Sequence, residues 1–253
     1  MSMLRIIQVT DCHLQSSKDD LFKDENPEQR LLAVLDDVKA NYHYPEFILL
    51  TGDLAHHGYS AAYERLQSYT KDMATAVRWI PGNHDDAGKM LEYQSLSGKV
   101  LVEGAWCIIL LDSTSKPDGV GGGTLSCAQL SWLDDVVAEY PEHYLLIGMH
   151  HPPVKVGSRW QDAIMLANAE AFWAQVSAYD KLKLVLCGHL HQEHQIIHDG
   201  VSVLVAPATA PQFAVGTDAP LVESGGVLSL PGYRVLDLLD DGGFETIVKR
   251  VSL

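Results

Sequence analysis

The chain has 253 residues, 47% of them hydrophobic and 20% charged, with a formal net charge of -15. That usage supports one large globular core, and a surface this acidic disfavours nonspecific binding to nucleic acid or to anionic membranes. Cys12, Cys107, Cys127 and Cys187 form no Cys-x-x-Cys pair, which argues against a zinc ribbon or a dithiol redox centre.

In chain order, Leu4–Val9 reads as a strand that runs into Thr10-Asp11-Cys12-His13. Residues i and i+2 at a strand end point to one side, so Asp11 and His13 are expected to converge while Cys12 turns to the core. A polar loop over 15–27 leads to a helix opened by Asn26-Pro27-Glu28 and running to about Asn41, with an apolar stripe of Leu31, Leu32, Val34, Leu35 and Val38. Phe47–Leu50 is apolar throughout, as a strand covered on both faces would be, and ends in Thr51-Gly52-Asp53. His56 and His57 follow as loop histidines that could line a site without being ligands. A helix over 60–75 precedes the strand Ala76–Ile80, which Pro81 and Gly82 stop, presenting Asn83, His84 and Asp85 on consecutive residues.

Cys107–Leu111 is the next strand, and Asp112 at its tip reads as a loop brace. Gly119–Gly123 is a flexible segment without the Lys-Ser/Thr of a P-loop. A helix begins at Ser126, and a strand over 143–149 ends in His150-His151-Pro152-Pro153, where the prolines fix the histidine pair. After a helix over 162–179, the strand Leu182–Leu186 ends in Cys187-Gly188-His189-Leu190-His191. From Glu193 onward, short runs joined by Gly, Pro and Asp read as consecutive antiparallel strands of a second sheet. The expectation is a single α/β domain over 1–253, with a metal-site part over 1–192 and second-sheet strands over 193–253. Its architecture would be a four-layer α/β/β/α sandwich of two mixed β-sheets flanked by helices.

Five apolar strands thus end in metal-capable groups: Asp11/His13, Asp53, Asn83/His84, His150/His151 and His189/His191. In an open α/β sheet, ligands bind where strand ends meet loops. The inventory is too large for one tetrahedral zinc and suits two ions, with the isolated Asp53 as the bridging carboxylate. Two divalent ions would leave the pocket positive inside an acidic protein. Phosphate esters are the leading substrates, because two ions about 3.5–4 Å apart can clamp the attacking and leaving oxygens of an in-line displacement.

Taken together, Asp11-x-His13, Gly52-Asp53, Gly82-Asn83-His84-Asp85, His150 and Gly188-His189-x-His191 resemble the five-block signature of the calcineurin-like metallophosphoesterases. With the words around these blocks and Pro207-Ala208-Thr209-Ala210-Pro211-Gln212-Phe213, the chain is most similar to the bacterial class III 3′,5′-cyclic-AMP phosphodiesterases. The resemblance implies that Asp11, His13 and His191 hold one metal and Asn83, His150 and His189 the other, with Asp53 bridging and His151 not ligating. It implies His84 as the general acid, oriented by Asp85, and a hydroxide bridging the metals as the attacking group. The implied activity is hydrolysis of 3′,5′-cyclic AMP to 5′-AMP by a cytoplasmic, nucleotide-binding hydrolase. The alternatives are another small phosphodiester, such as a glycerophosphodiester, or a non-catalytic metal-dependent scaffold. The two ions are expected to be iron or manganese, with zinc or cobalt also compatible. Nucleic-acid and membrane partners are not expected, and a homodimer is left open. Base-recognition residues carry no sequence signal; His56, His57, residues 15–26 and residues 207–214 are candidates by proximity.

Overall fold

The computed structural model describes residues 3–253. Eleven strands form in chain order: β1 Met3–Val9, β2 Phe47–Thr51, β3 Ala76–Ile80, β4 Val100–Glu103, β5 Trp106–Leu110, β6 Tyr144–Gly148, β7 Leu182–Cys187, β8 His194–His198, β9 Val201–Val205, β10 Gly232–Leu239 and β11 Phe244–Arg250. The main helices are α1 Pro27–Asn41, α2 Ser60–Thr70, α3 Ala87–Met90, α4 Cys127–Glu139, α5 Arg159–Asp162 and α6 Ala169–Val176. One sheet has the order β11-β10-β1-β2-β3 and the other β4-β5-β6-β7-β9-β8, and both mix parallel with antiparallel pairs.

Strand periodicity explains why these sheets stack. Side chains alternate faces along a strand, and here both faces of the central strands are apolar. Leu4 and Ile6, Phe47 and Leu49, and Leu184 and Leu186 meet between the sheets around Trp106 and Leu236. Ile7, Val9, Ile48 and Leu50 point the other way, against Leu31, Leu35 and Leu66 of α1 and α2. Ile109, Ile147 and Val185 pack on Leu133 of α4 and Phe172 of α6. Three separate cores therefore hold four layers, the expected α/β/β/α sandwich. No helix among the described residues is long and apolar enough to cross a membrane.

The C-terminal segment departs from expectation. Residues 193–253 do not make a sheet of their own: β8 and β9 extend the second sheet through parallel pairing of β9 with β7. β10 crosses back to pair with β1 in the first sheet, and β11 pairs with β10 at its edge. Long-range pairing decides this, and local turn chemistry carries no record of it. The helix expected over 162–179 is shortened to α6 Ala169–Val176; α5 ends at Asp162, and the irregular chain between them is pinned by Leu166 N to Pro152 O.

Because β1, β2 and β3 are mutually parallel, as are β5, β6, β7 and β9, the strand ends that carry the five clusters emerge at one end of the sandwich. Gln8, wholly buried on the inner face of β1, fastens the two sheets just beneath that end by donating to Thr51 Oγ1 and to the Cys187 carbonyl.

Candidate metal centre

The clusters converge, although not by the pleat of a strand. Asp11 (φ 51°), His13 (φ 46°), Asp53 (φ 51°), His189 (φ 75°) and His191 (φ 56°) all occupy the left-handed region. These five make up half of the ten non-glycine residues in that region among the described residues. Each such placement strains the backbone and persists only where surrounding contacts enforce it. Alternating left-handed residues aim Asp11 and His13 together and send Cys12 into the core, and the same device at His189 and His191 buries Leu190. Asp11 N donates to Gly52 O and His13 N to Asp53 O, both at 2.9 Å, so the first two loops are zipped together.

Gly52, at φ +96°, could not be another residue, since a Cβ there would lie 2.3 Å from His150 Nδ1. A Cβ on Gly188 would meet Thr10 Oγ1 at 2.1 Å.

Hydrogen bonding outside the cluster fixes which nitrogen each ring presents to the centre. His150 Nδ1 lies 2.8 Å from Thr51 O, His191 Nδ1 2.6 Å from Pro211 O, and His189 Nε2 3.0 Å from Ile164 O. A carbonyl only accepts, so those nitrogens carry the protons, leaving lone pairs on His150 Nε2, His191 Nε2 and His189 Nδ1. These lone pairs face one another and the carboxylates. His191 Nε2 is 2.9 Å from His13 Nε2 and 3.5 Å from Asp11 Oδ1, and His189 Nδ1 is 3.2 Å from His150 Nε2. Asp53 Oδ2 stands between the two groups, 3.7 Å from His13 Nε2 and 3.4 Å from His150 Nε2. Its other oxygen is held by the His84 amide at 2.8 Å.

Asp11 is divided in the same way. Oδ2 accepts from His189 N and Thr10 Oγ1, whereas buried Oδ1 has no hydrogen-bond partner, and neither has buried Asn83 Oδ1. Unpartnered buried oxygens beside converging nitrogen lone pairs are the donor set a cation satisfies. Asp11, His13 and His191 lie close enough to share one ion, as do Asp11, Asp53 and His150, and His150, His151 and His189.

Metal-binding imidazoles must be neutral, and that form is favoured in His13, His189 and His191 but not in His150. Burial holds His13 well below the usual histidine range and takes His189 down to about 3 and His191 to about 4. Burial would lower His150 too, but Asp53 overrides it and raises it to about 9. Burial pushes the Asp11 carboxyl up to about 7, against the attraction of His150.

One expected role is corrected. Asp85 makes no hydrogen bond to the His84 ring. Its carboxylate accepts from Leu54 N, Ala55 N, Gly82 N and Tyr63 Oη, so it braces the loops. His84 is oriented instead by the His56 carbonyl, 3.1 Å from its Nδ1. His56, expected only near the site, stacks on His84 at 4.7 Å and puts its Nδ1 3.1 Å from His13 Nδ1. His57 does not line the cavity. His151 turns its Nδ1 to Ser113 Oγ at 2.7 Å, and Asp112 braces its loop through Thr114 as expected.

The glycine segment is also more defined than its composition suggests. Asp118 Oδ1 accepts from the amides of Val120, Gly121 and Gly122, and Val120 and Gly121 wall the cleft. The cleft over the centre has a volume of about 210 Å³. Its floor holds His13, Asp53, Asn83, His84, His189 and His191, and its walls include Phe22, Lys23, Trp160, Ile164 and Phe213. None of these wall residues was singled out by type in the sequence, although Phe22, Lys23 and Phe213 fall in the two loops expected nearby.

A two-layered sheet sandwich with carboxylate, amide and imidazole donors gathered at its parallel strand ends is the architecture of a metal-dependent phosphoesterase. The chain belongs to the calcineurin-like phosphoesterase family, whose model matches residues 4–193. It is 36% identical over 252 residues to a 3′,5′-cyclic-nucleotide phosphodiesterase of Nostoc sp. (strain PCC 7120), covering 98% of this chain and 92% of the relative. It is 33% identical over 254 residues to the 3′,5′-cyclic adenosine monophosphate phosphodiesterase CpdA of Escherichia coli (strain K12), covering 98% and 90%. Among solved structures, a dimetal phosphatase from Danio rerio superposes with a TM-score of 0.64 at 11% identity, covering 98% of this chain and 99% of that one.

Proposed function

We propose that the protein hydrolyses 3′,5′-cyclic AMP to 5′-AMP with two divalent metal ions. The observation that carries the substrate is the full-length similarity to phosphodiesterases of cyclic nucleotides. The donor set supports two ions: Asp11, His13 and His191 would hold one and Asn83, His150 and His189 the other, with Asp53 within reach of both groups. Bound there, the ions would supply Lewis acidity, activating water and neutralising charge on the phosphoryl oxygens. The remaining work falls to the chain. His84 donates its Nδ1 proton to the His56 carbonyl, which leaves Nε2 to carry a second proton toward the cleft. In the imidazolium form, Nε2–H protonates the departing 3′-oxygen as the phosphorus–oxygen bond breaks, and the ring ends neutral. The His84 backbone amide meanwhile holds Asp53 Oδ1, so acid and bridging carboxylate are fixed by one residue.

The test is a substrate panel on protein reconstituted with manganese or iron, with metal content measured on the same samples. Turnover of cyclic AMP above glycerophosphodiesters and simple diesters is expected. A preference for a glycerophosphodiester would reassign the substrate, and metal-loaded protein inert toward every diester would overturn the enzymatic reading.

A further inference from the structure

The cleft has two unlike ends. Its floor is polar and is occupied by the metal-binding groups, and its walls are apolar. On one side Phe22 stacks on His13 with centroids 4.4 Å apart and planes within 8°, and Phe213 lies on His191 at 4.6 Å. Each ring covers an imidazole expected to bind the same ion. Trp160 meets Phe213 edge-on at 5.1 Å, and its indole nitrogen is tied to Thr217 Oγ1, so only hydrocarbon is offered to the cleft. Val120, 74% exposed, also lines the cleft.

Phe22 is held in place by a strained device. Phe22 N donates to Glu25 O at 2.8 Å and Glu25 N to Phe22 O at 3.1 Å, closing a two-residue hairpin. Both of its central residues, Lys23 (φ 50°) and Asp24 (φ 66°), are left-handed, although glycine or asparagine normally fills such positions. A lysine accepted there brings the one Lys or Arg side chain on the cleft wall, with Nζ 5.5 Å from the Phe22 centroid and 5.2 Å from that of Phe213. Cations over aromatic faces are attracted to them, so the turn, the ammonium and the two rings form one unit.

A slot with an anion-seeking floor, flat aromatic walls and a cation at the rim fits a ligand with a phosphate at one end and a planar base at the other. At about 210 Å³ it is smaller than the usual range for ligand pockets. We propose that Phe22 and Phe213, with Trp160 behind them, form a nucleobase subsite that stacks the adenine while the phosphate occupies the metal floor.

This inference rests on the cyclic-AMP reading, and its test separates the two. Binding of 5′-AMP and of ribose 5-phosphate to the manganese-loaded protein is measured by calorimetry. The two share the phosphate and sugar, so the ratio of their dissociation constants isolates the base. Base–aromatic stacking predicts that 5′-AMP binds roughly tenfold or more tightly. Phe22→Leu and Phe213→Leu, which keep an apolar cover on His13 and His191, should each bring the ratio several-fold closer to one. Manganese content and ribose 5-phosphate affinity should stay within about twofold. A wild-type ratio near one overturns the subsite whatever the variants do, and so does a ratio unmoved by both substitutions. A large ratio in a protein that fails to hydrolyse cyclic AMP would keep the subsite and remove the proposed reaction.

Discussion

His84 and Asp85 are neighbours in sequence with unconnected tasks. The His84 ring lies over the cleft floor with Nδ1 on a backbone carbonyl, whereas Asp85 gathers three amides and a phenol beneath it. His84→Ala removes the proposed proton donor and leaves the backbone amide on Asp53, so kcat should fall by roughly 10²–10⁴. Manganese stoichiometry by elemental analysis should be unchanged, and loss of metal from this variant would mean that the ring is a ligand. Asp85→Asn should behave in the opposite sense. An asparagine NH₂ must point at groups that are all donors, and losing hydrogen bonds to a charged acceptor should lower stability by about 2–3 kcal/mol. The reading is a lower urea midpoint in the metal-free protein; an unchanged midpoint with lost activity would restore the catalytic role. The metal-binding candidates were legible in the sequence because residue type and strand-end position specify donors. The partner of His84 was not, since a main-chain carbonyl leaves no mark in a sequence, and an aspartate next door invites the wrong pairing.

At the scale of elements, the centre depends on segments remote from it. Residues 207–211 run against the Asp11 loop, with Thr209 N on Thr10 O and Ala210 N on Asp11 O, and Pro211 O then accepts a hydrogen bond from His191 Nδ1–H. Arg30 of α1, buried and paired with Glu25, donates to Thr209 O and Ser229 O and so supports that segment from behind. Arg250 at the end of β11 does the same for its flanks, through Gln212 Oε1 and Gln192 Oε1. Arg30→Met would leave three carbonyls and a carboxylate without their donor, and should cost about 3 kcal/mol. It should also weaken the proposed metal site that includes His191, seen as a higher manganese concentration at half-occupancy. Stability lost with no change in metal affinity would separate the brace from the centre. These contacts were beyond sequence reading. The short apolar runs in β1, β2, β3, β6 and β7 announce strands, but nothing local tells β10 to cross back beside β1 or brings Arg30 against a turn nearly 180 residues further on. The expected second sheet over 193–253 failed for that reason, while the strands within it were correctly placed.

Over the whole molecule, the same groups tie folding to pH. In the metal-free chain burial drops His56 to about 4, His191 to about 4 and His189 to about 3, and holds His13 and His151 well below the ordinary range. Their contribution is fully present above the unfolded value of about 6.5 and is lost as pH falls toward the folded ones. His150, raised to about 9 by Asp53 against its burial, works in reverse: its contribution is complete below about 6.5 and fades as pH rises through 9. Burial also raises Asp11 to about 7 and Asp85 to about 6, so these two carboxyls oppose the imidazoles between the unfolded aspartate value and their own. Near pH 5 the unfolded chain binds protons on all six of these imidazoles, and the folded chain keeps them on His150, Asp11 and Asp85 alone. The excess lies with the unfolded state, so stability must rise with pH through this range and decline again, less steeply, as His150 deprotonates. The melting temperature of the metal-free protein should therefore peak near neutral pH, fall markedly toward pH 5 and fall slightly toward pH 9. Manganese competes with protons for the same lone pairs, so the rise in melting temperature it brings should be larger at pH 7.5 than at pH 5.5. A metal-free melting temperature that is flat or increases on acidification from pH 7 to 5 would show that the buried imidazoles are not held neutral, and the donor set would lose its claim to two ions.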